Sequence, residues 1–207
     1  MIVLGAKGHA KDVLVVLNET ITKESTLSFF DDYTKPEEAL FLGKYPIIHS
    51  LSAIDFSSNP HFVSAIGTPH LRKQVVEKFV KAGGVYQTVI SKYAVIGALD
   101  VQIGQGSNIM PFVFISNSVQ IGEGCLINTS AHIHHDVKIG NYCDVSPGAK
   151  ILGRVTIGNN CNIGSGAIIL PNITLGDNVT VGAGSVVVEN CLSENTIVGI
   201  PGKLKNK

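Results

Sequence analysis

The sequence predicts two unlike halves: a small Rossmann-like α/β domain with a parallel sheet, followed by a triangular parallel β-helix. Three observations predict it. Short apolar runs alternate with helix-like segments through residues 1–88, an aliphatic residue recurs every six positions within residues 89–207, and a glycine recurs every eighteen.

MIVLG is a short apolar run ending in glycine, the form of a buried strand. HAKDVLVVLNE then spaces Ala10, Val13, Leu14 and Leu17 along one helix face. LSFFDD is a second strand, ending on Asp31 and Asp32, and HFVSAIG is a third. In PHLRKQVVEKFVKAGG, Pro69 suits a helix N-terminus, Leu71, Val75, Val76, Phe79 and Val80 supply the apolar residues, and a glycine pair stops the helix. VYQTVI reads as a fourth strand. Such sheets bind ligands at their carboxyl edge. Lys7, Gly8, His9, Asp31, Asp32, Ser64 and Gly67 all fall at that edge. Lys7, Gly8 and His9 join strand to helix, where peptide N–H groups and the helix dipole favour phosphate. The loop is not GxGxxG, so no dinucleotide is inferred. Ordinary turn glycines and capping aspartates would give the same pattern.

In the second half the aliphatic series runs unbroken from Ile103 through Ile109, Ile115 and Ile121 to Val187. Two residues before each member stands a small or β-branched one. A hexapeptide of this kind makes one side of a triangular coil, and three sides make an 18-residue turn. Gly104, Gly122, Gly140, Gly158 and Gly176 mark that turn as a repeated corner. The fifteen sides of the series make five coils, about 24 Å tall at the usual strand spacing. Cys125, Cys143 and Cys161 share the 18-residue spacing and should stack inside as reduced thiols, since in-register side chains have poor disulfide geometry. Cys191 stands outside that column.

Composition agrees with strands: hydrophobic residues are 44% of the chain but aromatics only 6%, so the apolar content is small and branched. Sixteen basic residues balance sixteen acidic ones without a basic run, which leaves no footprint for nucleic acid or an anionic membrane. No secretory leader precedes the first strand and no apolar run is long enough to span a bilayer, so a cytoplasmic protein is expected.

The chemistry concentrates in NTSAHIHHD. The hexad frame turns Ala131 and Ile133 inward, so His132 points out while His134, His135 and Asp136 occupy a corner. Outward histidines are commonly just solvated. A histidine followed by a carboxylate, however, is a base with a partner that orients its ring.

With GAKGHAK, FFDD, AIGTPHLR, NTSAHIHHD plus SPGAK, and VGIPGK in this order, nearly the whole chain resembles the hexapeptide-repeat nucleotide-sugar acyltransferases of the PglD/NeuD type. The resemblance implies a left-handed coil, because the six-residue period alone does not set the hand. It assigns His135 as general base and Asp136 as its acidic support, with direct acetyl transfer and no acyl-enzyme. It implies acetyl-CoA as co-substrate, no metal, and a homotrimer with CoA in the groove between prisms. Asp144, Ser165 and Ala183 match CoA contacts, although Asp144 stands where histidine is often found. Residues 199–203 match a tail near CoA, with Gly202 in place of the usual alanine.

The first domain would hold a UDP-linked 4-amino-4,6-dideoxy sugar, the product serving surface glycan biosynthesis. The paired aspartates and the Lys7-Gly8-His9 loop match this UDP-sugar form. O-acetylation of sialic acid, the NeuD activity, is the rival on the same fold. A γ-type carbonic anhydrase would need three histidines on successive coils, whereas His132, His134 and His135 lie within four residues. A non-catalytic sugar-binding scaffold is the third alternative.

Overall fold

The computed structural model describes residues 1–20, 27–32 and 39–205. The first half forms β1 (Ile2–Leu4), α1 (Gly8–Thr20), β2 (Ser28–Phe30), β3 (Leu40–Phe41), β4 (Tyr45–Ile48), β5 (His61–Ser64), α2 (Pro69–Lys81) and β6 (Val85–Tyr86). The sheet order is β3-β4-β2-β1-β5-β6, parallel except for β3. From β1 the chain steps to β2 on one side and later to β5 on the other. The strand order therefore reverses between β1 and β5, opening a crevice at their carboxyl ends. On one face of the sheet, Phe79 of α2 packs edge-on to Phe30 at 4.8 Å and beside Phe62 at 5.2 Å. Ala10, Val13, Leu14 and Leu17 of α1 are buried in a cluster continuous with the core of the second half.

Two expectations change. The β3–β4 hairpin is not in the sequence reading; its three-residue connection, Leu42 to Lys44, turns on Leu42 and Gly43, with φ of 52° and 64°, where Asn-Gly is more usual. VYQTVI is not one strand. Val85–Tyr86 pairs with β5, whereas Val89–Ile90 pairs with Asn108–Ile109 in the second half. Gln87 N–H still donates to Phe62 at 2.8 Å, and Val89 N–H already donates to Ser107 at 3.0 Å, so the chain changes sheets across two residues.

The second half is a parallel β-helix with three faces. The first runs from Val89–Ile90 through Leu126–Ile127, Asp144–Val145 and Asn162–Ile163 to Thr196–Val198. The second runs from Val95–Ile96 through Phe114–Ile115 and His132–Ile133 to Val186–Val187, and the third from Gln102–Ile103 through Lys138–Ile139 to Thr174–Leu175. The coil thus begins two strands above the hexad series. One extra residue between Ile96 and Ile103 hides them from a six-residue count.

Every sixth residue from Asp100 to Gly184 has positive φ. Each hexad is therefore two extended residues and a corner that passes through the left-handed region, which glycine, asparagine and aspartate enter most easily. The inward residues are buried as the period requires, Ile133, Val137 and Ala149 included. Cys125, Cys143 and Cys161 are free and buried. Their thiols approach the corner carbonyls of Gly140, Gly158 and Gly176 at 3.0, 3.0 and 3.1 Å. Cys191 instead bridges to Leu175.

Both ends of the stack are partly covered by segments outside the repeat. At the top, Glu19 of α1 accepts from Ser91 Oγ at 2.9 Å and Lys92 N–H at 3.0 Å. At the bottom, Lys203–Leu204 returns antiparallel to Thr196–Val198.

Candidate active site

His135 and Asp136 form the corner between the second and third faces. Asp136 holds the left-handed position of its hexad, φ 61°, and this turns its carboxylate back to the preceding ring. His135 Nδ1 lies 2.8 Å from Asp136 Oδ2. With a carboxylate at that distance Nδ1 carries the proton, leaving the Nε2 lone pair outward. Gly153, one coil below, makes room for the ring. His132 and His134 are close by, with Phe114 about 6 Å from both rings. Burial, followed by the charges of His132 and His135, pushes the His134 pKa down. Among the described residues, no group of histidine, cysteine, aspartate or glutamate side chains is placed to share a metal ion.

A second site occupies the crevice between β1 and β5, a cavity of about 320 Å³. Lys7, His9, Asp31, Asp32 and Gly67 line it, with Phe30, Leu71 and Val75 as its apolar wall. Gly8 opens α1 beside it and leaves open space where a side chain would stand. Ser64 is not in the lining: it is buried below, its Oγ accepting from Ile66 N–H at 3.3 Å. Both helices point their N-termini at the cavity, so unpaired N–H groups and dipoles favour an anion there. His9 Nε2 is buried without a hydrogen-bond partner, and burial holds this imidazole below its usual pKa despite Asp12 at 3.6 Å. Across the mouth Lys78 faces Asp32 at 3.9 Å.

Asp144, Ser165 and Ala183 do not join His135 within one chain. Asp144 is a strand residue of the first face, and its Oδ1 is buried without a partner. Burial pushes its carboxyl up to about 6, which Arg72 and Asn128 offset only in part. Ser165 and Ala183 stack at the corner between the first and second faces, where Gly184 N–H donates to Ser165 O at 2.9 Å. A whole face, about 15–20 Å at the strand rise, separates that corner from His135. Gly202 has a local cause: a Cβ there would stand 2.8 Å from Ile197 Cγ2 and 2.9 Å from the Val186 carbonyl.

One buried residue, quoted above within AIGTPHLR, is not among the site residues the sequence singles out. Arg72 is almost fully buried and donates to five main-chain carbonyls in both halves. Its sequence signal is its place at the end of AIGTPHLR, a cation in the first turn of a charged helix.

The PglD N-terminal domain model matches residues 1–79, and the bacterial transferase hexapeptide model matches 118–153 and 154–189. WeeI from Acinetobacter baumannii is 31% identical with a TM-score of 0.87, over 99% of this chain and 98% of that one. The chain belongs to the PglD-type hexapeptide-repeat acyltransferases. PerB from Caulobacter crescentus, solved with CoA and GDP-perosamine, is 28% identical to this acyltransferase with a TM-score of 0.89, over 99% of this chain and 96% of PerB. The acetyltransferase domain of PglB from Neisseria gonorrhoeae, solved with acetyl coenzyme A, is 28% identical with a TM-score of 0.88, over 99% and 98%. No curated sequence relative matches this PglD-type enzyme. Among its described residues, no helix is long and apolar enough to cross a membrane.

Proposed function

We propose that this acyltransferase moves the acetyl group of acetyl-CoA to the amine of a UDP-linked 4-amino-4,6-dideoxy sugar, with His135 as general base. The observation that carries the reading is the His135–Asp136 pair at 2.8 Å on an exposed corner of the prism. The sugar amine attacks the thioester carbonyl while His135 Nε2 takes its proton. Asp136 accepts the Nδ1–H bond and stabilises the imidazolium that forms. The tetrahedral adduct collapses, the C–S bond breaks, and the thiolate takes the proton back from His135 to leave as CoA.

The crevice would hold the nucleotide: the N-termini of α1 and α2 face the diphosphate, while Asp31 and Asp32 accept from ribose or base. A GDP-linked sugar is the second reading, favoured by the similarity to PerB with its bound GDP-perosamine.

The crevice and His135 of one chain serve different sites. The nucleotide domain sits on the first face and its corner with the third, through Asn108, Gly124 and Tyr142. His135 stands on the edge opposite the first face. A homotrimer brings the crevice of one copy to His135 of the next and places CoA between prisms, along the Ser165–Ala183 corner. Exposed apolar rings at the corner between the first and second faces, above Ser165 and Ala183, support this: Tyr93 and Phe112 stack at 5.9 Å yet are 52% and 63% exposed.

Purified protein is incubated with acetyl-CoA and a panel of acceptors, and free thiol is followed. The proposal expects thiol release with UDP- or GDP-linked 4-amino sugars, the UDP form faster. Release only with free or CMP-linked sialic acid, or with no acceptor in the panel, rejects it.

A further inference from the structure

Arg72 enters the prism from α2. Its Nη1 donates to the carbonyls of Ile66 at 2.8 Å and Gly67 at 2.5 Å, the turn that walls the crevice. Its Nε donates to Gly124 O at 2.8 Å, and its Nη2 to Tyr142 O at 3.2 Å and Cys143 O at 3.0 Å. These last three carbonyls belong to two successive coils at one corner. A single guanidinium therefore ties the substrate crevice to the catalytic prism, and every acceptor is a main-chain atom with little freedom to move.

A guanidinium buried against neutral carbonyls is an expensive way to fill a core. What it supplies is direction: a planar fork fixes the angles between its acceptors, as an ammonium or an apolar side chain does not. In a trans peptide the carbonyl and the next N–H point opposite ways. Holding the Ile66 and Gly67 carbonyls toward the prism thus turns the N–H groups of Gly67 and Thr68 to the other side, and Gly67 lines the crevice.

We infer that Arg72 is a positioning residue for acetyl transfer: it locks the Ile66–Gly67 turn to the prism corner and so sets where the nucleotide presents its amine. The inference rests on the proposed function. It requires that loosening this lock harm transfer to a nucleotide-linked amine without harming the acetyl-CoA half of the site.

The test compares wild type, Arg72→Lys and Arg72→Gln as assembled proteins, with thermal melts as the fold control. Two acceptors are used: the nucleotide-linked 4-amino sugar best used by wild type, and the same amino sugar without nucleotide at high concentration. Arg72→Lys is expected to lower kcat with the nucleotide-linked acceptor by about 10–100-fold, as a displacement near 1 Å does. KM for acetyl-CoA and transfer to the nucleotide-free sugar stay within about twofold of wild type. Arg72→Gln falls further with the nucleotide-linked acceptor.

Equal loss on both acceptors, undiminished kcat on the nucleotide-linked one, or failure of both variants to fold makes Arg72 structural alone and overturns the inference. If wild type uses no nucleotide-linked amine, the parent reading fails instead.

Discussion

Gly153 lies directly beneath the His135 ring: a Cβ built there would stand 2.5 Å from His135 Cε1 and 2.6 Å from Nε2. The atoms it would meet are the end of a half-exposed side chain, which can swing away at little cost. Gly153→Ala should therefore leave the melting temperature within a few degrees while displacing the base. Steady-state kinetics should show kcat lower by about 10–100-fold, with KM for acetyl-CoA unchanged. Wild-type turnover in this variant would mean that the ring position is not critical.

His135→Ala should lower kcat by about 10²–10⁴-fold, the range for general-base help. Asp136→Asn tests the partner separately. Asparagine tolerates the left-handed corner and keeps an oxygen near Nδ1 but loses the charge, so a fall of about tenfold is expected. If Asp136→Asn costs nothing, orientation by the corner alone suffices.

Asp144 gives a pH signature. Burial raises its folded-state pKa from 3.8 to about 6, so between these values the folded chain binds the extra proton. Stability then declines as pH rises through that window and levels off above it. Asp144→Asn should remove this decline and raise stability at pH 7 by about 1–3 kcal/mol. Urea denaturation at pH 4.5 and 7 checks it; parallel pH curves for the two proteins would contradict the assignment.

Phe112 is on the surface of one chain, so Phe112→Glu should cost the fold little and the assembly much. Sedimentation velocity should show wild type as the proposed trimer and the variant as monomer, with acetyl transfer lost and nucleotide binding by the crevice retained. A persisting trimer would show that another face carries the contact.

The hexads were legible because one physical constraint, an aliphatic side chain inside every side of a triangle, acts on consecutive residues. The same count stopped at Ile103 because the extra residue before it shifts Ile90 and Ile96 out of phase. VYQTVI reads as one strand since nothing in its composition marks Gln87 and Thr88 as the crossing between two sheets. At the crevice, Lys7, His9, Asp31, Asp32 and Gly67 were found because strand ends converge by topology. Arg72 and Gly153 were not. Three of the five Arg72 partners are 52 to 71 residues away and that of Gly153 is 18, and each works through what lies opposite it, which a local pattern does not contain.

A pile of identical parallel coils has no intrinsic length, since its last coil offers the same hydrogen-bonding rim as every other. Left bare, those rims would let one molecule grow onto the next as a fibre. Glu19 occupies the amide and hydroxyl of the top rim, and the reversed Lys203–Leu204 strand covers part of the bottom one with its chain direction the wrong way for a further coil. Polymerisation is opposed at both ends by segments outside the repeat, so the size of the particle is decided by its terminators and not by the coil.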